Sequence, residues 1–181
     1  NIIVVKSLMA IKQILTIPNP ILRKVSKPVN AVNTEIKNLM KDMLETMYAA
    51  PGIGLAAVQI GILKRVIVID LTSAGEKMEP IFVINPEIIS KSKSLISYEE
   101  GCLSIPSQFW EIARPDSCII KFLDQKGEEK KIKTEGLLAT CIQHEIDHLN
   151  GVLFIDYLSK LKKESILKKA IKQKKDIDRI I

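Results

Sequence analysis

Nowhere in the chain do about 18 apolar residues run together, which excludes a membrane-spanning helix of ordinary length. Glycine and proline are not abundant, eight of each, which excludes collagen-like and low-complexity classes. Cysteine is scarce. Cys102, Cys118 and Cys141 are too few, and odd in number, for a disulfide framework. Each thiol is then free to pack, bind metal or react, and a reducing compartment fits best. The first ten residues lack the roughly 7–15-residue apolar stretch of a secretory signal and the arginine-rich character of a mitochondrial one. A cytoplasmic protein is expected. What is present is a 181-residue chain, 46% hydrophobic and 27% charged, enough for one domain with a real core.

The net charge of +6 is unevenly placed. Residues 1–159 carry 18 basic and 18 acidic side chains, whereas residues 160–181 carry nine and three. The tail alone is basic. Its Leu161, Ile166, Leu167, Ala170, Ile171, Ile177, Ile180 and Ile181 recur at roughly helical spacing. A basic amphipathic C-terminal helix over 160–181 is expected. It either packs by its apolar face or also meets an anionic partner such as RNA or a ribosome.

Ile36, Leu39, Met40, Met43, Leu44 and Met47 predict a helix from Thr34 to about Ala50, stopped by Pro51. Strands are expected at Arg65–Asp70, at Ile81–Ile84 closed by Asn85-Pro86, and at Ser117–Leu123. Lys130–Lys133 should pair back on the last of these. A second helix is expected from about Thr134 to Asn150, with Gly151 as its stop. Strands and helices do not alternate regularly around this second helix, so the fold class is α+β.

That helix carries His144-Glu-Ile-Asp-His148, an HExxH pattern that uses both histidines of the chain. Positions i and i+4 lie on one helical face, so both imidazoles can reach one metal ion. Glu145, beside the first, can serve as a general base without being a ligand. A hydrolytic site needs a third protein ligand and one open position. Downstream candidates fail, because Phe154 stands where a third histidine would and Glu164 lies in the lysine-rich tail. Cys141 is three residues before His144 on the same helix, and three side chains of one helix do not easily converge on one ion. It is expected to line the pocket. Cys118 reads as a buried strand residue. Cys102, in Glu99-Glu-Gly-Cys-Leu-Ser-Ile-Pro106, is the best third ligand.

Gly52-Ile-Gly-Leu-Ala-Ala57 formally matches a dinucleotide-binding fingerprint. Such a fingerprint must follow a strand and open a helix, and here it follows a helix. A tight apolar loop serving as a substrate wall, with Gln59 as its polar group, is the better reading.

Gly52-Ile-Gly-Leu-Ala-Ala-Val-Gln59, Glu100-Gly-Cys-Leu-Ser104 and Gln143-His-Glu-Ile-Asp-His148 together resemble the three motifs of the peptide deformylase family. The resemblance covers about residues 9–170. It implies an α+β fold with antiparallel strands packed around a central helix carrying HExxH, and a metal-dependent hydrolase that removes the N-formyl group from the initiator methionine of nascent chains and releases formate. It implies Cys102, His144 and His148 as metal ligands, with Fe(II) as the natural ion and zinc, nickel or cobalt accepted. Glu145 becomes the catalytic acid/base, with Gln59 and the Leu103 N–H as oxyanion donors. Ile53 and Cys141 become candidates for the methionine pocket, and Gly54 leaves room for the peptide backbone to lie close by. The chain is expected to be one deformylase-like domain over 1–181, with residues 1–8 an upstream extension. Phe109 stands where several members carry arginine, and Asn150 where aspartate is common. Two other readings fit the same helix: a different HExxH hydrolase such as a peptidase, and an RNA-binding module with a structural metal.

Overall fold

The computed structural model describes residues 11–72 and 75–178. The expected extension 1–8 lies outside them. Helix α1 spans Thr34–Ala49 and starts where Asn33 accepts a hydrogen bond from the Ile36 N–H at 3.1 Å. Strands β1 (Gly54–Ala56), β2 (Val66–Ile69), β3 (Ile81–Lys91), β6 (Ser117–Leu123) and β7 (Glu129–Glu135) form an antiparallel sheet in the order β1-β2-β3-β6-β7. Strands β4 (Leu95–Cys102) and β5 (Ile105–Pro115) form a separate hairpin. Helix α2 spans Gly136–Leu149, and α3 spans Lys160–Asp178.

The sheet is covered on both faces, which explains why β2 reads as an unbroken apolar run. Val66 and Val68 join Ile36, Met40, Met43 and Met47 of α1 in one buried cluster. Ile67 and Ile69, pointing the other way, join Ala139, Ile142, Ile146 and Leu149 of α2. The HExxH helix therefore sits against the sheet as expected. It begins two residues later than expected, because Thr134 and Glu135 still pair with β6. Gly151, with φ 73°, ends it in the left-handed conformation that glycine tolerates.

Two expectations need correction. Strand β3 does not close at Asn85-Pro86 but continues to Lys91, with a register shift between Ile84 and Glu87 that absorbs the proline. Asn85 anchors that irregularity by accepting from the Val29 N–H and donating to the Val29 carbonyl, both at 2.8 Å. The long β4–β5 hairpin, which carries Glu100 and Cys102, was not expected as strand.

Helix α3 docks by a narrower face than its sequence suggests. Ile166 is buried, and Leu167 and Ala170 pack beside it on Leu22, Ile112 and Phe154. Leu161 is 81% exposed and Ile171 41% exposed. The side chains of Ile177, Ile180 and Ile181 lie outside the described part.

The end of β2 is tied to α1 by Tyr48, whose hydroxyl donates to Asp70 at 2.5 Å. Thr72 donates to the other carboxylate oxygen through its N–H and hydroxyl, at 2.9 and 2.7 Å. Burial would push the Asp70 carboxyl up, but these bonds hold it below its ordinary value. Burial and Asp70 push the Tyr48 phenol up to about 12. A carboxylate with a lowered native pKa stabilises the fold above its unfolded pKa and loses that contribution as pH falls. Tyr48→Phe should therefore cost about 1–2 kcal/mol at pH 7, with the cost shrinking below about pH 4. Urea unfolding at pH 7 and pH 3 measures both; an equal cost at both would remove Asp70 ionisation from the account.

Candidate metal centre and active site

The site forms where α2 crosses the end of β4 and the turn after β1. Helix α2 presents His144 and His148 on one face, with ring centroids 5.0 Å apart. The β4 end brings Cys102 over them, and its Sγ lies 3.2 Å from His148 Nε2. One ligand atom from each of Cys102, His144 and His148 falls within 4.8 Å of the others. Donors bound tetrahedrally to one ion at about 2.0–2.3 Å sit roughly 3.3–3.8 Å apart, and the Cys102–His148 pair is near that spacing. The cluster is the one such group of three among the described residues.

The second ring nitrogen of His144 is already spoken for. His144 Nδ1 lies 2.8 Å from Glu100 Oε2, which leaves Nε2 for a ligand. Glu100 is in turn gripped by Arg114, with Nε at 2.5 Å and Nη2 at 3.0 Å. The Phe154 ring stacks behind His144 at 6.2 Å.

Charge in this cluster is arranged for a cation. Burial disfavours a charged His144, yet Cys102 and Glu100 raise its pKa well above the ordinary imidazole value. Burial and the neighbouring His144 push His148 well below it. A neutral His148 beside Cys102 and His144, with His144 Nδ1 held by Glu100, is a donor set that suits one divalent ion. The Cys141 thiol is different. Burial, then Glu145, pushes its pKa well above the ordinary value, so it stays neutral, and its Sγ faces the Ile53 carbonyl at 4.0 Å. It lines the pocket as expected and stands outside the ligand cluster.

Glu145 is buried, and its Oε2 has no hydrogen-bond partner. Burial is the main cause that raises its pKa to about 7. A carboxyl poised there can take and return a proton near neutrality. Gly54 makes room for it: a Cβ at that position would lie 2.5 Å from Glu145 Oε1 and 3.0 Å from Cys141 Sγ.

Gln59 is fixed from both ends. Its Oε1 accepts from the Ala56 N–H at 2.9 Å, and its Nε2 donates to Ser104 Oγ at 3.1 Å and faces Cys102 Sγ at 3.6 Å. The amide donors therefore point toward the cluster. The loop containing it follows α1 and continues as β1 and a short 3-10 turn, which bears out the rejection of a dinucleotide fingerprint.

A pocket of about 450 Å³ opens beside these groups, lined by Ile53, Gly54, Gln59, Cys102, Leu103, Cys141, His144 and Glu145. His148 lies deeper, 1% exposed. The pocket rim is apolar, with Ile53, Phe109 and Leu137 each 43–61% exposed. One edge of the Phe109 ring packs against Gly101, where any Cβ would stand about 2.5 Å from Cε1.

The family model for polypeptide deformylase matches residues 11–164. The chain belongs to the peptide deformylase family. The peptide deformylase of Pelagibacter ubique is 58% identical over 166 residues, which are 92% of this chain and 96% of that protein. That of Rhizobium meliloti is 52% identical over 167 residues, 92% of this chain and 96% of that one. Among solved structures, the peptide deformylase of Ehrlichia chaffeensis in complex with actinonin aligns with a TM-score of 0.86 at 42% identity, covering 91% of this chain and 98% of that one. A peptide deformylase from Legionella pneumophila gives 0.85 at 45% identity, covering 94% and 99%. Deformylase relatives thus span nearly the same length as this chain.

Sequence reasoning grouped Cys102, His144 and His148 with Glu145, Gln59, Ile53, Gly54 and Cys141, which the structure brings side by side. It missed the roles of Glu100, Arg114 and Asp147. Glu100 and Asp147 stood inside the quoted motifs and were passed over; Arg114 carried no local signal. The geometry predicts that Cys102→Ala will lose most of its metal, whereas Cys141→Ala will keep it. Metal content per chain after anaerobic purification decides this. Equal loss in both variants would overturn the distinction drawn between the two thiols.

Proposed function

We propose that the chain hydrolyses the N-formyl group of the initiator methionine on nascent polypeptides, yielding formate and a free amine. The observation that carries this is the convergence of Cys102, His144 and His148 with the unpartnered Glu145 carboxylate in one pocket. Cys102, His144 and His148 would hold one divalent ion. A thiolate with two imidazoles suits iron, cobalt, nickel or zinc; Fe(II) is the native ion on the family resemblance. Such an ion supplies Lewis acidity and lowers the pKa of water, making a nucleophile available near neutral pH.

The protein groups do the rest. Glu145 takes a proton from the attacking water and returns it to the leaving amine nitrogen as the C–N bond breaks. Gln59 Nε2 and the Leu103 backbone N–H donate to the formyl oxygen as it gains negative charge. Ile53 and Cys141 line the pocket for the methionine side chain, and Gly54 leaves room for the peptide backbone. An RNA-binding module with a structural metal leaves Glu145 and Gln59 without work, and a peptidase would act without regard to the formyl group.

We read the chain as one deformylase-like domain whose basic C-terminal helix is α3, Lys160–Asp178. We assign that helix a contact with the ribosome. Lys168, Lys172 and Lys175 are exposed on it, while Ile166 holds it to the body. Phosphate contacts by such lysines release counterions and are salt-dependent.

Glu145→Gln should keep its metal and lose about 10²–10⁴-fold in turnover, the usual contribution of a positioned acid/base. Formate release from a formyl-Met-Ala-Ser peptide, compared with the unformylated peptide, reads this out. A metal-replete variant as fast as wild type, or equal cleavage of both peptides, would sink the assignment. For the helix, Lys168→Gln/Lys172→Gln/Lys175→Gln should leave turnover of that peptide intact and weaken ribosome binding, with a shallower salt dependence. Unchanged ribosome affinity would mean that the helix only packs.

A further inference from the structure

The hydrogen bonds that orient His144 do not end at Glu100. Arg114 uses Nε and Nη2 on Glu100, and its remaining nitrogen, Nη1, donates to Asp147 Oδ2 at 2.8 Å. The same Asp147 oxygen accepts from the Tyr157 hydroxyl at 2.8 Å. Tyr157 also lies under Arg114, with the guanidinium carbon 4.7 Å from the ring centroid and Nη1 3.3 Å from the hydroxyl. The path runs from a half-exposed tyrosine, through a carboxylate 20% exposed, to an arginine and a glutamate 3–5% exposed, and ends on His144 Nδ1.

We propose that Tyr157 is a positioning residue, which sets the orientation of His144 through Asp147, Arg114 and Glu100. The inference rests on the reading of His144 as a metal ligand. Its physical basis is the guanidinium fork. A planar fork holds a carboxylate well only when its own plane is fixed. Glu100 fixes one side of that plane, and Asp147 with Tyr157 fixes the other. The cluster also sets two carboxylates against one guanidinium, and the Tyr157 hydroxyl adds a donor to the second carboxylate without adding charge. Removing it leaves Arg114 to swing toward Asp147 alone, and the tilt passes to Glu100 and the His144 ring. Tyr157 lies on the 3-10 turn Phe154–Tyr157, outside all three motifs.

A purely structural tyrosine would pin this turn to α2 and nothing more. Metal affinity separates the two roles. Tyr157→Phe keeps the ring over Arg114 and deletes only the hydroxyl. Bind Co(II) to the metal-free wild type and variant against a chelator, well below the unfolding temperature, and record the ligand-field spectrum. Groups behind a metal-bound histidine typically matter about 10–100-fold for affinity, and Tyr157→Phe should fall near the lower end, with a shifted spectrum. The same substitution placed on Glu100→Gln should cause no further loss, because the path is already cut. Asp147→Asn serves as the second background if Glu100→Gln does not fold. An unchanged Co(II) affinity for Tyr157→Phe, or an equal loss in the cut background, overturns the proposal. If Cys102→Ala binds Co(II) as wild type does, the ligand reading itself fails, which is a separate result.

Discussion

A carboxylate that stays charged in the protein interior has to be paired, and Glu100 is the one that meets this demand behind the site. Burial alone would raise its pKa, but its bonds to His144 and Arg114 hold it below the ordinary value. Those bonds decide more than one side chain. They tie the β4–β5 hairpin to α2, because Glu100 and Arg114 come from the hairpin and His144 and Asp147 from the helix. They also carry Cys102 into place two residues beyond Glu100, over His148. Ile105 and Ile112 pack the hairpin onto Leu22 and Phe154, and Gln143 bonds Pro115, but this pairing is what sets Glu100 and Cys102 against the two histidines.

The larger frame exists to make that helix immobile. Helix α2 is almost wholly buried from Ala139 to Ile146, and its polar residues are inside for a reason. Gln143 donates to the Pro115 and Ala139 carbonyls at 2.9 and 3.0 Å, while His144, Glu145 and His148 form the site. The opposite face of the sheet is sealed by α1. Such a sandwich brings the β1 edge close to Glu145 only because Gly54 has no side chain. The Gly-rich segment is thus a constraint of approach, and Gln59 reaches the cluster from the turn that this approach permits.

The C-terminal helix joins the body through a small contact. Ile166 is its buried anchor, Lys162 lies over the Trp110 ring at 4.6 Å, and Lys163 pairs with Asp156 at 2.5 Å. Asp156 also takes Arg23 from the opposite side. The turn that precedes the helix therefore carries Phe154 behind His144, Asp156 at the surface and Tyr157 over Arg114. Three adjacent layers of the protein meet in four residues.

The sequence by itself determined the class of chemistry. Two histidines at helical spacing with a glutamate beside the first can share one metal next to a proton carrier, and that pattern is local to a single helix. Helical periodicity fixed α1 and α2 to within two residues, and the buried run Val66–Ile69 announced a strand covered on both faces. The tertiary structure alone decided the remainder, because it depends on contacts between distant segments. Local pattern does not show that β3 passes through Asn85-Pro86, since the bulge is anchored by Val29. Nor does it show the β4–β5 hairpin, whose alternation is interrupted by the buried polar pair Glu100 and Arg114. Those two residues look like surface charges in sequence. Only folding removes both from water together, and that shared desolvation makes them the support of the site.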